Sequence, residues 1–178
     1  MVEPSRPSSA ALAYLNSLSD AEARERLTRC CGASRWVEGM LRARPFATAS
    51  ALFEQADATW GGLRRSDYLE AFRHHPEIGE NLDELRKKFA NTAELSLGEQ
   101  AGAATASEAT LLALRRGNQA YRERFGYSFI VCASGKSAEQ MLALLEQRLP
   151  NSAESELAVA AAEQAKITRL RLEKIEAP

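Results

Sequence analysis

The sequence predicts an all-α fold: a single domain, an irregular or orthogonal helical bundle with one short extended segment in its core. Three observations carry this. Serine or threonine stands at helix-start positions again and again, several times with glutamate or glutamine three residues on; the apolar-periodic runs stop at glycine or proline; and a single stretch, "YSFIVCA", is β-branched and aromatic yet too short for a helix of its own. With 178 residues, 45% of them hydrophobic, the chain is long enough for one full core and short for two.

The elements follow in order. Residues 1–9 read as a flexible Pro/Ser-rich leader. Ser19 and Glu22 stand at capping-box spacing before "DAEARERLTRCC", and Gly32 closes that helix. Ser34 is positioned to cap "RWVEGMLRAR", which must end before Pro45 because the residue preceding proline is pushed out of the α region. Thr48 opens "ASALFEQADATW", stopped by Gly61 and Gly62, and Ser66 opens "DYLEAFRHH", stopped by Pro76. A helix over "NLDELRKKF" comes next. An alanine-rich stretch then grows into "SEATLLALRRGNQAYRERF", with Thr105 and Glu108 at capping spacing, Gly126 at the stop, and Leu111, Leu114, Tyr121 and Phe125 near one face. Tyr127 to Ala133 is the extended segment, without an obvious partner strand, and reads as a buried connection. Ser137 and Gln140 cap "AEQMLALLEQRL", Pro150 and Asn151 break it, and a last helix runs from about Glu154 to Lys174.

Composition removes several function classes. A formal net charge of -1 leaves no global basic field for nucleic acid or anionic lipid. The apolar runs "FIVCA" and "LAVAAA" fall far short of the roughly 18 residues that cross a bilayer. No apolar signal segment stands at the N-terminus, so a cytoplasmic location is expected. Cys30, Cys31 and Cys132 cannot all pair, and read as buried reduced thiols. His74 and His75 are neighbours whose side chains diverge by about 100° on a helix, and no H-x-x-x-H, C-x-x-C or Gly-rich phosphate loop is present, so neither metal nor nucleotide cofactor is expected.

Two fragments remain. In "EAFRHHPEIGE" the chain's two histidines stand together at a helix end. Pro76 holds His75 extended just past the last turn, where the partial negative charge of the helix C-terminus favours imidazolium and suits a proton donor near neutral pH. The structural alternative is that His75 is only a helix C-cap and His74 a surface residue. In "SLGEQ", Ser96 and Glu99 fit a capping box, and the fragment taken alone favours that reading.

Taken jointly, "LNSL", "RWVEGMLRARPF", "FRHHPEIGE", "SLGEQAG", "GNQAYRERFGYSFIVCASGKS", "RLPNSAESEL" and "KITRLRLEKI" resemble, in order, the motifs of the 2-oxo-4-hydroxy-4-carboxy-5-ureidoimidazoline (OHCU) decarboxylases, which complete the conversion of urate to (S)-allantoin. The resemblance runs from about Leu15 to Ile175. Pieces such as H-P-x-I-G are weak singly; their order is specific. It implies one domain over residues 1–178, an all-α fold, no cofactor, OHCU as substrate, no nucleic-acid or membrane partner, and commonly a homodimer. Carried over, the catalytic histidine falls on His75 rather than His74, and the substrate-binding S-x-x-E-Q on Ser96, Glu99 and Gln100, with Leu97 and Gly98 inside it. Pro76 follows the histidine at the site. The pocket-lining extended segment falls on Phe129, Ile130, Val131, Cys132 and Ala133, and the C-terminal arginine on Arg171. The chain departs in Tyr127-Ser128, where F-P is common, and in Leu97-Gly98.

The chemistry this implies suits these residues. Loss of CO2 leaves an electron pair that the ring's conjugated C=N accepts, provided the carboxylate is held out of the ring plane, so positioning is the protein's main contribution. Glu99 would grip the hydroxyl and ureido N–H groups, Gln100 and the backbone of Phe129 to Ala133 the ring, and Arg171 an anionic or carbonyl edge. His75 would manage the hydroxyl proton and deliver one proton to one face of the carbanion. On the last helix Ile167, Leu170 and Lys174 lie near one stripe with Arg171 beside it, whereas Arg169 points about 160° away from Arg171. The alternative for Arg171 is an internal salt bridge with Glu77 or Glu80. The alternative for the whole chain is a non-catalytic helical interaction module, in which His75 and Glu99 are caps; a ring-opening hydrolase of the urate pathway is a third reading that the motifs do not favour.

Overall fold

The structure, a computed structural model, describes residues 9–75, 83, 87 and 107–175. Those residues are all-α, as the sequence predicts; apart from Asp83 and Lys87 they form eight helices: α1 (Ser9–Ser17), α2 (Asp20–Cys30), α3 (Ser34–Ala43), α4 (Ala49–Gly61), α5 (Arg65–Arg73), α6 (Glu108–Phe125), α7 (Ala138–Arg148) and α8 (Ala153–Glu173). Of the helix expected over 81–89, Asp83 and Lys87 are described and both are helical. The first helix is a correction, because the sequence predicts no helix before Ser19; residues 1–8 of the expected leader lie outside the described residues.

Three N-caps and one C-cap closed by the adjacent turn fall where the sequence puts them. Ser19 Oγ accepts from Glu22 N while Glu22 accepts from Ser19 N, completing a capping box at α2. Thr48 Oγ1 accepts from Ala51 N at α4, and Ser137 and Gln140 form the box at α7. α6 ends on Gly126 at φ 81, a left-handed cap that glycine adopts without steric cost.

Three expected caps are corrected. Ser34 is the first residue of α3 and Ala33 its cap; the Ser34 N–H and hydroxyl donate instead to the Glu70 carboxylate on α5, so a distant side chain does the capping. Ser66 lies inside α5, which starts at Arg65 with Arg64 as cap, and Asp67 accepts from Arg64 N. Ser107 rather than Thr105 caps α6, accepting from Thr110 N; Thr105 lies outside the described residues.

The chain divides into two compact units, Met1–His74 with Ala161–Pro178, and His75–Ala160. α8 runs through both. In the first unit, Leu15, Leu27, Trp36, Met40, Leu52 and Phe72 are fully buried. The indole N–H of Trp36 donates to Ala56 O at 3.1 Å and that of Trp60 to Ala161 O at 3.0 Å, so each buried ring keeps its one donor satisfied. The N-terminal stretch is held by Asn16, whose side chain donates to Phe46 O and accepts from Phe46 N, at 2.8 and 2.9 Å.

In the second unit, Leu111, Leu114, Tyr121 and Phe125 of α6 are all buried, as their spacing predicts, and α7 packs on that helix. Tyr127, Phe129, Ile130, Val131 and Cys132 are buried with no regular secondary structure, and Ser128 and Ala133 are half-buried.

Candidate functional site

In the first unit one of the sequence-predicted site residues, Arg171, lies at the end of α2. α2 stops at Cys30 with Cys31 extended, which leaves the last carbonyls of the helix without intrahelical partners. Arg171, half-buried on α8, donates from Nη1 to Arg29 O at 3.2 Å and to Cys30 O at 3.3 Å. A cation at a helix C-terminus is favoured by the helix dipole, so this contact holds the guanidinium without a carboxylate. No ion pair joins Arg171 to an acidic residue among the described residues. Glu77 and Glu80, the alternative partners read from the sequence, lie outside the described residues.

Arg171 and Arg169 are both half-buried, and Ile167 and Leu170 likewise. The fully buried side of this part of α8 is Ala161, Gln164, Thr168 and Leu172, which corrects the stripe of Ile167, Leu170 and exposed Lys174. What separates the two arginines is their surroundings. Arg169 lies over the Phe53 ring, 4.2 Å from its centroid, and pairs with Asp57 at 3.6 Å and Glu173 at 3.8 Å. Arg171 keeps Nε and Nη2 without an acceptor among the described residues.

Beneath Arg171 lie the adjacent thiols. Burial pushes Cys30 up to about 12 and Cys31 up to about 11, the latter held slightly lower by hydrogen bonds with the Ala33 backbone and Thr168. Both are neutral at physiological pH, which removes them as nucleophiles. Both are free, as expected, and Cys132 is buried too.

α5 ends at Arg73, with His74 as its C-cap at φ -81 and ψ -1 and the His74 N–H on Ala71 O at 3.1 Å. That corrects the alternative in which His75 caps the helix. His75 follows in a bend, half-buried. Pro76, Ser96, Leu97, Gly98, Glu99 and Gln100 lie outside the described residues.

In the second unit the extended segment is anchored by a buried ionic cluster. Arg148 of α7 donates from Nη1 to Ile130 O at 2.8 Å and from Nε to Glu156 Oε1 at 2.9 Å. Its guanidinium carbon stands 4.6 Å from the Phe129 ring centroid. Glu156 is 0% exposed and Arg148 6%, and Glu156 also accepts from Tyr121 Oη and, at 2.8 Å, from Asn151 Nδ2. Burial, reinforced by the bond to Glu156, raises the Tyr121 phenol well above its ordinary value. Lys136 Nζ donates to Cys132 O at 2.7 Å. Two carbonyls of the segment are therefore fixed by cationic donors, one of them fully buried.

The comparisons bear on what this arrangement serves. The family model for OHCU decarboxylase matches residues 16–173. The chain belongs to the OHCU decarboxylase family. The "Uric acid degradation bifunctional protein TTL" of Arabidopsis thaliana is 37% identical over 148 residues, 82% of this chain but only 45% of that protein, so the chain spans less than half the length of this relative. The 2-oxo-4-hydroxy-4-carboxy-5-ureidoimidazoline decarboxylase of Amia calva is 35% identical over 135 residues, 74% of each chain. A crystal structure of OHCU decarboxylase in the presence of (S)-allantoin superposes with a TM-score of 0.69 at 33% identity, over 88% of this chain and 97% of that one.

Within this OHCU decarboxylase family member, sequence reasoning missed the buried cluster. The fragment "RLPNSAESEL" carries Arg148, Asn151 and Glu156, and it enters the resemblance without a role for any of them. A signal existed: Arg148 occupies the position three residues after Leu145, on the buried side of α7, where a charge is tolerated only with a partner. No helix among the described residues is long and apolar enough to cross a membrane.

Proposed function

We propose that the chain decarboxylates OHCU to (S)-allantoin without a cofactor, as one domain spanning both compact units. The observation that carries this is the family match over residues 16–173, a span that includes His75, Glu99 and Arg171. The similar OHCU decarboxylase crystallised in the presence of (S)-allantoin supports the same product.

In this reading the carboxylate leaves as CO2 and its bonding pair moves into the conjugated C=N of the ring. The ureido-bearing carbon of the resulting enol then takes one proton from His75 on one face, which sets the (S) centre, while the hydroxyl proton passes to the ring nitrogen as the C–OH becomes a carbonyl. Arg171, anchored through Nη1 on the α2 carbonyls, turns its remaining N–H groups to an anionic or carbonyl edge of the substrate. Glu99 binds the hydroxyl and ureido N–H groups. Ser96, Leu97, Gly98, Gln100 and Pro76, with backbone groups of Phe129, Ile130, Val131, Cys132 and Ala133, are the further substrate-binding groups of this reading. The anchoring of that backbone by Arg148 and Lys136 supports such a role, because a rigid peptide edge binds a planar ring with little ordering cost. A cytoplasmic homodimer without nucleic-acid or membrane partners belongs to the same proposal.

The test supplies freshly generated OHCU and follows the optical activity of the allantoin formed. Accelerated formation of a single enantiomer is expected. Allantoin formed no faster than without protein, and racemic, would leave the helical interaction module as the better reading.

A further inference from the structure

The α2–α3 connection carries an unexplained glycine. Gly32 is buried, and its φ is not in the left-handed region, so backbone conformation does not demand glycine there. Space does. A Cβ built on Gly32 would stand 2.3 Å from both Cγ and Cδ2 of His74 and 2.7 Å from its Cβ. Because the His74 Cβ is itself within that distance, turning the ring cannot relieve the clash; the backbone at His74 or at Gly32 must move. His74 is the C-cap of α5, fixed by its N–H to Ala71 O, and the next residue is His75.

The same connection touches Arg171. The carbonyls that hold its Nη1 belong to Arg29 and Cys30, three and two residues before Gly32. On the other side, Ser34 is tied to Glu70 one turn before the end of α5. Any displacement that makes room for a side chain at position 32 therefore reaches the histidine turn, the arginine anchor, or both.

We propose that Gly32 is a positioning residue: by lacking a side chain it seats His74 against the α2–α3 connection, and so fixes the C-cap of α5 from which His75 follows directly in the chain. The inference rests on the functional reading above for the roles of His75 and Arg171. Gly32 itself touches neither the reacting atoms nor the substrate.

The experiment compares Gly32→Ala, His74→Ala and the double variant in turnover of freshly generated OHCU, with folding checked by circular dichroism. Gly32→Ala lowers kcat/KM at least about tenfold, mostly in kcat, since displacements well under 1 Å are costly for a proton donor. His74→Ala costs no more than about threefold, and the double variant recovers at least about threefold over Gly32→Ala because the two closest atoms, Cγ and Cδ2 at 2.3 Å, are gone and only the 2.7 Å approach to Cβ remains. Folded Gly32→Ala within about twofold of the parent, or a double variant no better than Gly32→Ala, overturns the proposal. Should Gly32→Ala not fold, Gly32→Ala/His74→Gly removes every atom of the clash and is expected to fold; its failure to do so overturns the proposal as well.

A parent protein without OHCU turnover would sink the functional reading rather than the contact. In that case the two imidazoles, the chain's only histidines, carry the test in 1H–15N correlation spectra, assigned with His74→Asn. Gly32→Ala shifts the His75 signals if the seat is real, and unchanged His75 signals refute it.

Discussion

Replacing Arg148 with methionine isolates the buried cluster that anchors the extended segment. Methionine has similar length and fills most of the space, so the cost is electrostatic rather than a cavity. What is left behind is the Glu156 carboxylate, 0% exposed, with Tyr121 Oη and Asn151 Nδ2 as its remaining donors, and an Ile130 carbonyl that has lost its guanidinium partner. Removing one partner of a buried pair costs about 3–5 kcal/mol, a large share of the roughly 5–15 kcal/mol by which a domain is stable. At about 2–4 °C per kcal/mol for a chain of this size, the Tm falls by roughly 6–20 °C. Adding Glu156→Gln to Arg148→Met should recover at least about 1 kcal/mol, since a neutral amide is far cheaper to bury than an unpaired carboxylate. Urea and thermal unfolding of the three proteins measure both quantities. A loss below about 1 kcal/mol for Arg148→Met, or no recovery in the double variant, would show that Glu156 is not left as a stranded charge.

Three substitutions address the reacting groups. His75→Asn should lower decarboxylation at least about 10²-fold in a folded protein while His74→Asn, which keeps Cβ and a planar group against Gly32, stays mild; comparable rates for the two would remove His75 as the proton donor. Arg171→Lys should cut kcat/KM more than about tenfold, because one ammonium cannot cap α2 and present a planar fork at once, whereas Arg169→Lys keeps its charge near Asp57 and Glu173 and changes little; equal small effects would leave the end of α8 as packing alone. Glu99→Gln separates a cap from a ligand: a capping partner tolerates the amide, while an ionised ligand loses a charge-assisted bond and about 10²-fold or more in rate, read by steady-state kinetics with the melting temperature as control.

The features legible in the sequence are those closed within a few residues. The capping boxes at Ser19 and Ser137, the Thr48 cap, the Gly126 stop and the buried face Leu111–Leu114–Tyr121–Phe125 need only the 3.6-residue period and partners one turn away. The family is legible because several short motifs occur in one order from Leu15 to Ile175, and a family model spanning 16–173 bears that out. The α8 stripe misleads because its buried side includes Gln164 and Thr168, polar residues that hydrogen-bond each other at 3.1 Å and so conceal the periodicity of an apolar face.

The sequence by itself determined the helical class, most helix ends, the family, and the types of residue available for chemistry. Tertiary structure alone decided the partners. Glu70 caps α3 from 36 residues away, Arg171 takes carbonyls 142 and 141 residues distant, and Arg148 ties Ile130 to Glu156. The physical reason is one of range: caps and helical faces are set by torsions and periods that repeat along the chain, whereas what a buried charge meets depends on which distant backbone is folded against it, and no local pattern encodes that distance.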